Sequence, residues 1–511
     1  MLLVERLARR RPRGWLGSGI VALAAMAVPS AIGAQPAYST LYVDSKISLP
    51  SCDAYNPATR SCTGGRDKAF KALASAVLYT DAGTTVWIRE GVYQEPLVPA
   101  ASGTADHPIV FKNFERETVT LSKIDAPAVQ LIGRSHIVID GLTVEDTLGW
   151  GRLQDARENT IQHMTFNRAV AKGTTGGLKI LRSPYNRISE NRFEEGNDSV
   201  MILDGSNGNI VDKNAFVNAR HTLLNIKCSS GNIVRANVFT NANQKAMEIY
   251  DCEGGSDAPF RLDSTKRNLV EGNIFLVTRG ASRSHEYNAI QHGGQYTIVR
   301  RNVFLKDLGG GVAYQSYPSE SLFVYGNRLY NNTFYDNRCF ALIGYSGDPK
   351  QYGDNRAVNN IFYKNRDCEG KGEQISIADK ATVIATGNAV ESSDPGFLDE
   401  LKPDLHLKRD SRMIDRAGPL TVTRSAGEGT TMPVGDVFWF SDGFTIPGEP
   451  GDEIQLLGTT DTARVVRIDF TAKTLILDRS VSWRSGQGVA LKFEGLAPDF
   501  GAAEYTDDAK R

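Results

Sequence analysis

The chain has 511 residues, too many for one compact core of ordinary size, so it is either several domains or one long repetitive one. Lysine and arginine (58) balance aspartate and glutamate (59), and a net charge of −1 removes the electrostatic case for nucleic acid. A polyanionic ligand would therefore need a local basic site.

At the N-terminus "MLLVERLARRRPRG" is followed by "WLGSGIVALAAMAVPSAIGA", an arginine-rich segment ahead of an apolar stretch that ends in small residues. This reads as a signal peptide over 1–34, cleaved near Ala34; the alternative, a membrane anchor, is disfavoured by the short stretch and by Pro29. The expected mature protein is secreted or periplasmic, without a membrane span, and a monomer. Six cysteines suit an exported chain, and their spacing suggests the pairs Cys52 with Cys62, Cys228 with Cys252, and Cys339 with Cys368; buried free thiols are the alternative. No cysteine and histidine spacing suits zinc.

Residues 63–97, "TGGRDKAFKALASAVLYTDAGTTVWIREGVYQEPL", resemble the entry module of secreted β-helix proteins, in which a short helix precedes a strand ending in a Gly-x-Tyr-x-Glu turn. "HPIVFKNFERETVTL" resembles an early coil of polysaccharide lyases.

One phrase then recurs: "SENRFEEG", "DKNAFVNA", "RANVFTNA", "EGNIFLVT", "RRNVFLKD", "YNNTFYDN", "VNNIFYKN". Its phenylalanines, Phe193, Phe216, Phe239, Phe275, Phe304, Phe334 and Phe362, are separated by 23, 23, 36, 29, 30 and 28 residues. Short β-type runs at such a period predict an all-β solenoid whose stacked coils carry Asn and Phe ladders inside the tube. The pattern resembles a right-handed parallel β-helix, expected over 35–418 with an N-terminal cap. A β-propeller would need hairpin signals between strands, which are missing.

Because side chains alternate along a strand, offsets from the repeated phenylalanine assign faces. Offsets +8 and +10 give Met201 and Leu203, Leu224 and Ile226, Met247 and Ile249, all apolar and expected inside. Offsets +9 and +11 give Ile202 and Asp204, Asn225 and Lys227, Glu248 and Tyr250, expected outside. Asp204, Lys227 and Tyr250 should then form one column, with Asn225 and Glu248 beside it and Arg220 and His221 on the entering loop. A salt-bridge ladder is the plain structural explanation. The functional one is a groove for an extended polymer, with Lys227 as base or anion clamp and Tyr250 as proton donor.

Cleaving a uronate by elimination requires neutralising its carboxylate, taking the C5 proton and protonating the leaving oxygen, tasks that suit Arg, Lys, His and Tyr. A hydrolase needs two carboxylates about 5 to 10 Å apart. Asp204 and Glu248, two coils apart at about 9.6 Å by strand spacing, leave that route open.

"NIKCSSGNIVRANVF" resembles family-six polysaccharide lyases, the alginate lyase and chondroitinase B group, and the resemblance maps their catalytic lysine onto Lys227. One coil on, where that family has an arginine, this chain has "MEIYDCEG". Calcium is the cofactor the resemblance raises, but the acidic ligands that calcium-using members carry are not matched. Motifs of polygalacturonases (Asn-Thr-Asp, Asp-Asp, Gly-His-Gly) and of mannuronan epimerases (Asp-Pro-His) are absent from the repeat region.

The long coil "RGASRSHEYNAIQHGG" offers Arg279, Arg283, His285, Tyr287 and His292 as further substrate contacts, with Tyr314 and Tyr317 beyond it as sugar-stacking platforms. Residues 419–495, with "ARVVRIDFTAKTLILD" and "GVALKFEG", read as a small inserted β module, and 496–511 as closing segment and tail. The expectation is a lyase acting on an acidic polysaccharide. A glycoside hydrolase on the same scaffold and a noncatalytic glycan-binding surface protein are the alternatives.

Overall fold

A computed structural model describes residues 39–170, 176–251, 265–276, 288–315, 323–347, 352–379, 382–400 and 405–506. The chain winds through three long sheets of 15, 12 and 10 strands, each coil adding one short strand to a sheet. Pairing between coils is parallel throughout; an antiparallel pair, Ser51–Tyr55 with Asp67–Phe70, closes the N-terminal end. No helix among the described residues is long and apolar enough to cross a membrane.

The Asn-x-Phe phrase builds the interior. From Phe166 through Phe193, Phe216, Phe239, Phe275, Phe304 and Phe334 to Phe362, the rings stack with centroids 4.5–5.0 Å apart, the strand spacing itself. Phe166 escaped the repeat because Met164 stands where later coils have asparagine; the Leu142 amide donates to its sulfur at 3.3 Å. The residue before each ladder asparagine takes a left-handed turn: Glu190, Lys213, Ala236 and Arg301 do so with φ of 54–57°. That conformation costs a non-glycine residue about 1–2 kcal/mol, and the ladder offsets the cost. From Asn214 on, each asparagine carbonyl of this ladder accepts two bonds from the coil before it: Asn237 Oδ1 takes the Asn214 backbone N–H at 2.8 Å and its Nδ2 at 3.0 Å, while Asn237 Nδ2 donates to Val211 O at 2.8 Å. A second ladder, Asn159, Asn186, Asn209, Asn232 and Asn268, repeats this at another corner.

Asn237→Leu strips these three bonds, and a fourth from Asn237 Nδ2 to Asn273 Oδ1 at 3.0 Å, from buried partners, so a loss of about 1–3 kcal/mol is expected in a denaturant titration. An unchanged midpoint would mean that the ladder is not what holds the corner.

At the N-terminal end the Gly-x-Tyr-x-Glu turn has a structural role. Glu95 accepts the Leu73 and Ala74 amides at 2.8 and 3.1 Å, satisfying donors that the short helix Leu73–Ala76 leaves open. Cys52 and Cys62 form a disulfide. Cys228 is disulfide-bonded, and its expected partner Cys252 lies outside the described residues. Cys339 and Cys368 depart from expectation: they are free thiols, and burial together with the hydrogen bond that the Cys339 thiol donates to Cys368 pushes the Cys339 thiol up to about 12.

Residues 421–491 form a six-stranded antiparallel sheet that packs on the outer face of the 15-stranded sheet. Ile210, Ile233, Leu269 and Ile298 of the tube share an apolar cluster with Leu420, Met432, Trp439 and Ile446. Around it Arg235 pairs with Glu449 at 2.6 and 2.8 Å, and Arg300 with Asp452 at 2.6 Å through both nitrogens. The module thus covers one side of the tube and leaves the ten-stranded sheet on another.

Candidate active site

Three neighbouring strands of the ten-stranded sheet carry the candidate residues: Asp198–Leu203, Thr222–Lys227 and Lys245–Tyr250. Leu224, Ile226, Met247 and Ile249 are fully buried, whereas Lys227 and Tyr250 are half-buried and adjacent in register. Lys227 therefore interrupts an apolar run because it faces outward.

The first strand corrects the expected column. Asn225 pairs with Met201 and Lys227 with Leu203, so Asp204 falls one residue past the lysine's rung, and the interior residues are Val200 and Ile202 instead of Met201 and Leu203. The equal 23-residue periods conceal two compensating changes. The turn 195–197 before this strand has three residues and the turn 218–221 of the next coil has four; the return turns then restore the difference. A slip of one residue exchanges the two faces. Asp204 instead occupies a left-handed corner (φ 49°), where its amide donates to Lys227 O at 3.1 Å. The pairing of Asp204 with Glu248 across the lysine is lost with it.

Asp198, at the start of that strand, takes over as the acidic group. It is 2% exposed and accepts from His221 Nδ1 at 2.7 Å, Asn225 Nδ2 at 3.1 Å and Asn197 Nδ2 at 3.2 Å. A carboxylate only accepts, so His221 Nδ1 carries the proton and Nε2 is left for a ligand. Arg220, beside it, is exposed. On the next coil Lys245, absent from the expected set, is buried and donates to Glu248 Oε1 at 2.5 Å; the Tyr250 hydroxyl lies 3.4 Å from Lys245 Nζ and 3.3 Å from Glu248 Oε1. The face therefore presents His221 held by Asp198, Tyr250 held by a lysine and glutamate pair, and Lys227 in register with Tyr250.

The hydrogen bond to Asp198 raises the His221 pKa above 6.5, outweighing burial. Protonated His221 therefore stabilises the fold fully below about pH 6.5, and that contribution disappears as pH rises through the higher folded-state value. In an NMR titration Asp198→Asn should bring the His221 midpoint down to 6.5 or below; an unmoved midpoint would show that Asp198 does not set it.

Other expected residues fall elsewhere. His292 and Tyr314 pair in register with Ile249 and with each other, on the inward parity, and both are wholly buried. Their rings meet edge to face at 5.4 Å inside the tube. Burial pushes the His292 pKa down to about 3 and raises that of Tyr314, so both stay neutral and neither contacts a polymer. Arg279, Arg283, His285, Tyr287 and Tyr317 lie outside the described residues.

Calcium is not favoured by this donor set. The ion takes six to eight oxygens, and here Asp198 and Glu248 are committed to His221 and Lys245. Among the described residues no group of three or more His, Cys, Asp or Glu side chains could hold a metal ion.

Residues 117–261 match the family model described as right handed beta helix region. The fold is a right-handed parallel β-helix. The Bacillus subtilis (strain 168) "Uncharacterized protein YwoF" is 40% identical over 90 residues, which take in 16% of this chain and 19% of that protein. Among solved structures, a mutant of the PL6 family alginate lyase AlyGC is 16% identical with a TM-score of 0.44, covering 63% of this chain and 51% of its own. The PL6 family polysaccharide lyase Pedsa3628 from Pseudopedobacter saltans is 15% identical with a TM-score of 0.44, covering 68% and 96%. The chain thus spans about half of the first structure and under a fifth of the Bacillus protein. None of these likenesses assigns a reaction.

Proposed function

We propose that this β-helix protein is an exported lyase that cleaves a uronate-containing polysaccharide by β-elimination on the face around Lys227. The observation that carries the reading is the adjacency in register of Lys227 and Tyr250 on one outward surface, with His221, held by Asp198, at the entry of the strand that carries Lys227. The resemblance of residues 225–239 to family-six lyases points to the same lysine.

Each group has a task. His221, protonated, and Arg220 neutralise the uronate carboxylate, which makes the C5 proton acidic. Lys227, as the base, takes that proton, the electron pair forms the C4–C5 double bond, and the C4–O bond breaks. Tyr250 gives its hydroxyl proton to the leaving oxygen. Lys245 and Glu248 touch no reacting atom in this scheme; they hold the Tyr250 hydroxyl in place. Export to the periplasm or medium through cleavage near Ala34, and action as a monomer, belong to the same proposal.

Product analysis in heavy-oxygen water tests it. Elimination leaves an unsaturated end that carries no solvent oxygen, whereas hydrolysis incorporates one heavy oxygen per cut. Labelled, saturated products would overturn the lyase reading and favour a glycoside hydrolase.

A further inference from the structure

At the N-terminal end of the 15-stranded sheet, away from the Lys227 face, lies a cavity of about 610 Å³. That volume falls in the range of small-molecule sites. Trp87, Lys112 and Asp140 stand on successive rungs of the strands Thr85–Ile88, Ile109–Asn113 and Ile137–Asp140, and Arg116 and Asn113 complete the walls. Lys112 Nζ sits 4.6 Å from the centre of the Trp87 ring, and Phe114 meets that ring edge-on at 5.7 Å.

Charge at this cleft is mixed: Lys112 and Arg116 share its walls with the carboxylates of Glu115 and Asp140. Glu117, the carboxylate next to Arg116 in the chain, is committed elsewhere: Arg89 binds it at 2.9 and 2.7 Å and the Glu90 amide at 2.7 Å. Asp140 is engaged by His163 at 2.7 Å and by Gln162 at 3.1 Å. Lys112 and Arg116 form no ion pair among the described residues, although most cations of this tube do. Arg116 is also held in a left-handed conformation (φ 64°) that follows another at Glu115 (φ 44°), a turn closed by the Glu117 amide on Phe114 O at 2.7 Å. Gly141 keeps the floor open: a Cβ there would lie 2.5 Å from Asn113 Oδ1.

We infer that this cleft is a second, noncatalytic binding site for an acidic saccharide. The two cations would take a carboxylate or sulfate, Trp87 offers an apolar surface to a pyranose ring, and Asp140 and Asn113 accept from hydroxyls. A site on a separate sheet would anchor a polymer without contacting the bond that is cut. The inference rests on the proposed lyase activity only for the choice of uronates as first probes.

Calorimetric titration of the mature chain with alginate and polygalacturonate trisaccharides, a sulfated disaccharide and neutral counterparts tests it, on a Lys227→Ala background so that nothing is consumed. Acidic saccharides should bind and neutral ones should not, and Lys112→Ala with Arg116→Ala should weaken that binding at least tenfold at an unchanged thermal midpoint. Arg116→Glu alone, at an exposed position, should do the same. Preference between the carboxylated and sulfated probes identifies which anion the site is built for. No binding, equal binding of neutral sugars, or binding indifferent to Arg116 would overturn the inference. Retained Arg116-dependent binding in a protein that yields no unsaturated product would sink the lyase reading alone.

Discussion

Lys227→Ala should lower the rate of polymer cleavage by about 10² to 10⁴, the range a positioned general base contributes, while leaving the fold intact because the side chain stands on an outer face. Lys227→Arg separates two roles the lysine could play. A guanidinium stays protonated at any working pH and cannot take a proton, so a base is not replaced by arginine, whereas a cation that merely holds the uronate carboxylate is. Steady-state rates of the three proteins decide the matter: recovery in Lys227→Arg would reassign Lys227 to carboxylate binding. His221→Gln adds a second readout. If His221 must be protonated, activity falls as pH rises through its raised pKa, and the glutamine variant loses that limb of the profile.

The largest stability effect is expected at the junction of module and tube. Arg300 is buried, held charged by Asp452 and Glu271, and bonded to both and to the Tyr330 hydroxyl at 2.9 Å. Asp452 also accepts the Ser441 amide at 2.8 Å. Asp452→Ala would leave a guanidinium out of water with half of its compensation gone, a change that costs about 3–5 kcal/mol when one member of a buried pair is removed. Adding Arg300→Met should recover part of that loss, because an apolar side chain needs no counter-charge. Denaturant titrations of the single and double variants test this, read by fluorescence of the module's Trp439 and by circular dichroism of the tube. A loss below about 1 kcal/mol in Asp452→Ala would mean that water reaches the junction.

The winding of the chain was legible because its strongest signal is local: an asparagine and a phenylalanine two residues apart, repeated at every coil, state both a corner and a stacking position. The outward placement of Lys227 was legible for a similar reason, since Leu224 and Ile226 flank Asn225 in strict alternation. Asp204 was misplaced because equal coil lengths hide a residue moved from one turn to another. His292 was misplaced because the long excursion after Phe275 breaks the count from the phenylalanine, whereas Tyr314, ten residues after Phe304, stands at an inward offset by the same alternation and was read from its aromatic character instead. Asp198 and Lys245 were overlooked because they stand at strand entries, ahead of the apolar alternation used to read faces. The seating of the module had no local signal at all. Arg235 finds Glu449 across 214 residues, and Arg300 finds Asp452 across 152.

Ultraviolet absorbance of unsaturated uronate, followed while the mature protein acts on alginate, polygalacturonate and chondroitin sulfate, bears most directly on the catalytic role of the Lys227 face. A rising signal on at least one of these polymers, lost in Lys227→Ala, is the predicted result. A rise that the Lys227→Ala protein retains at full rate would contradict it and place the chemistry elsewhere on the molecule.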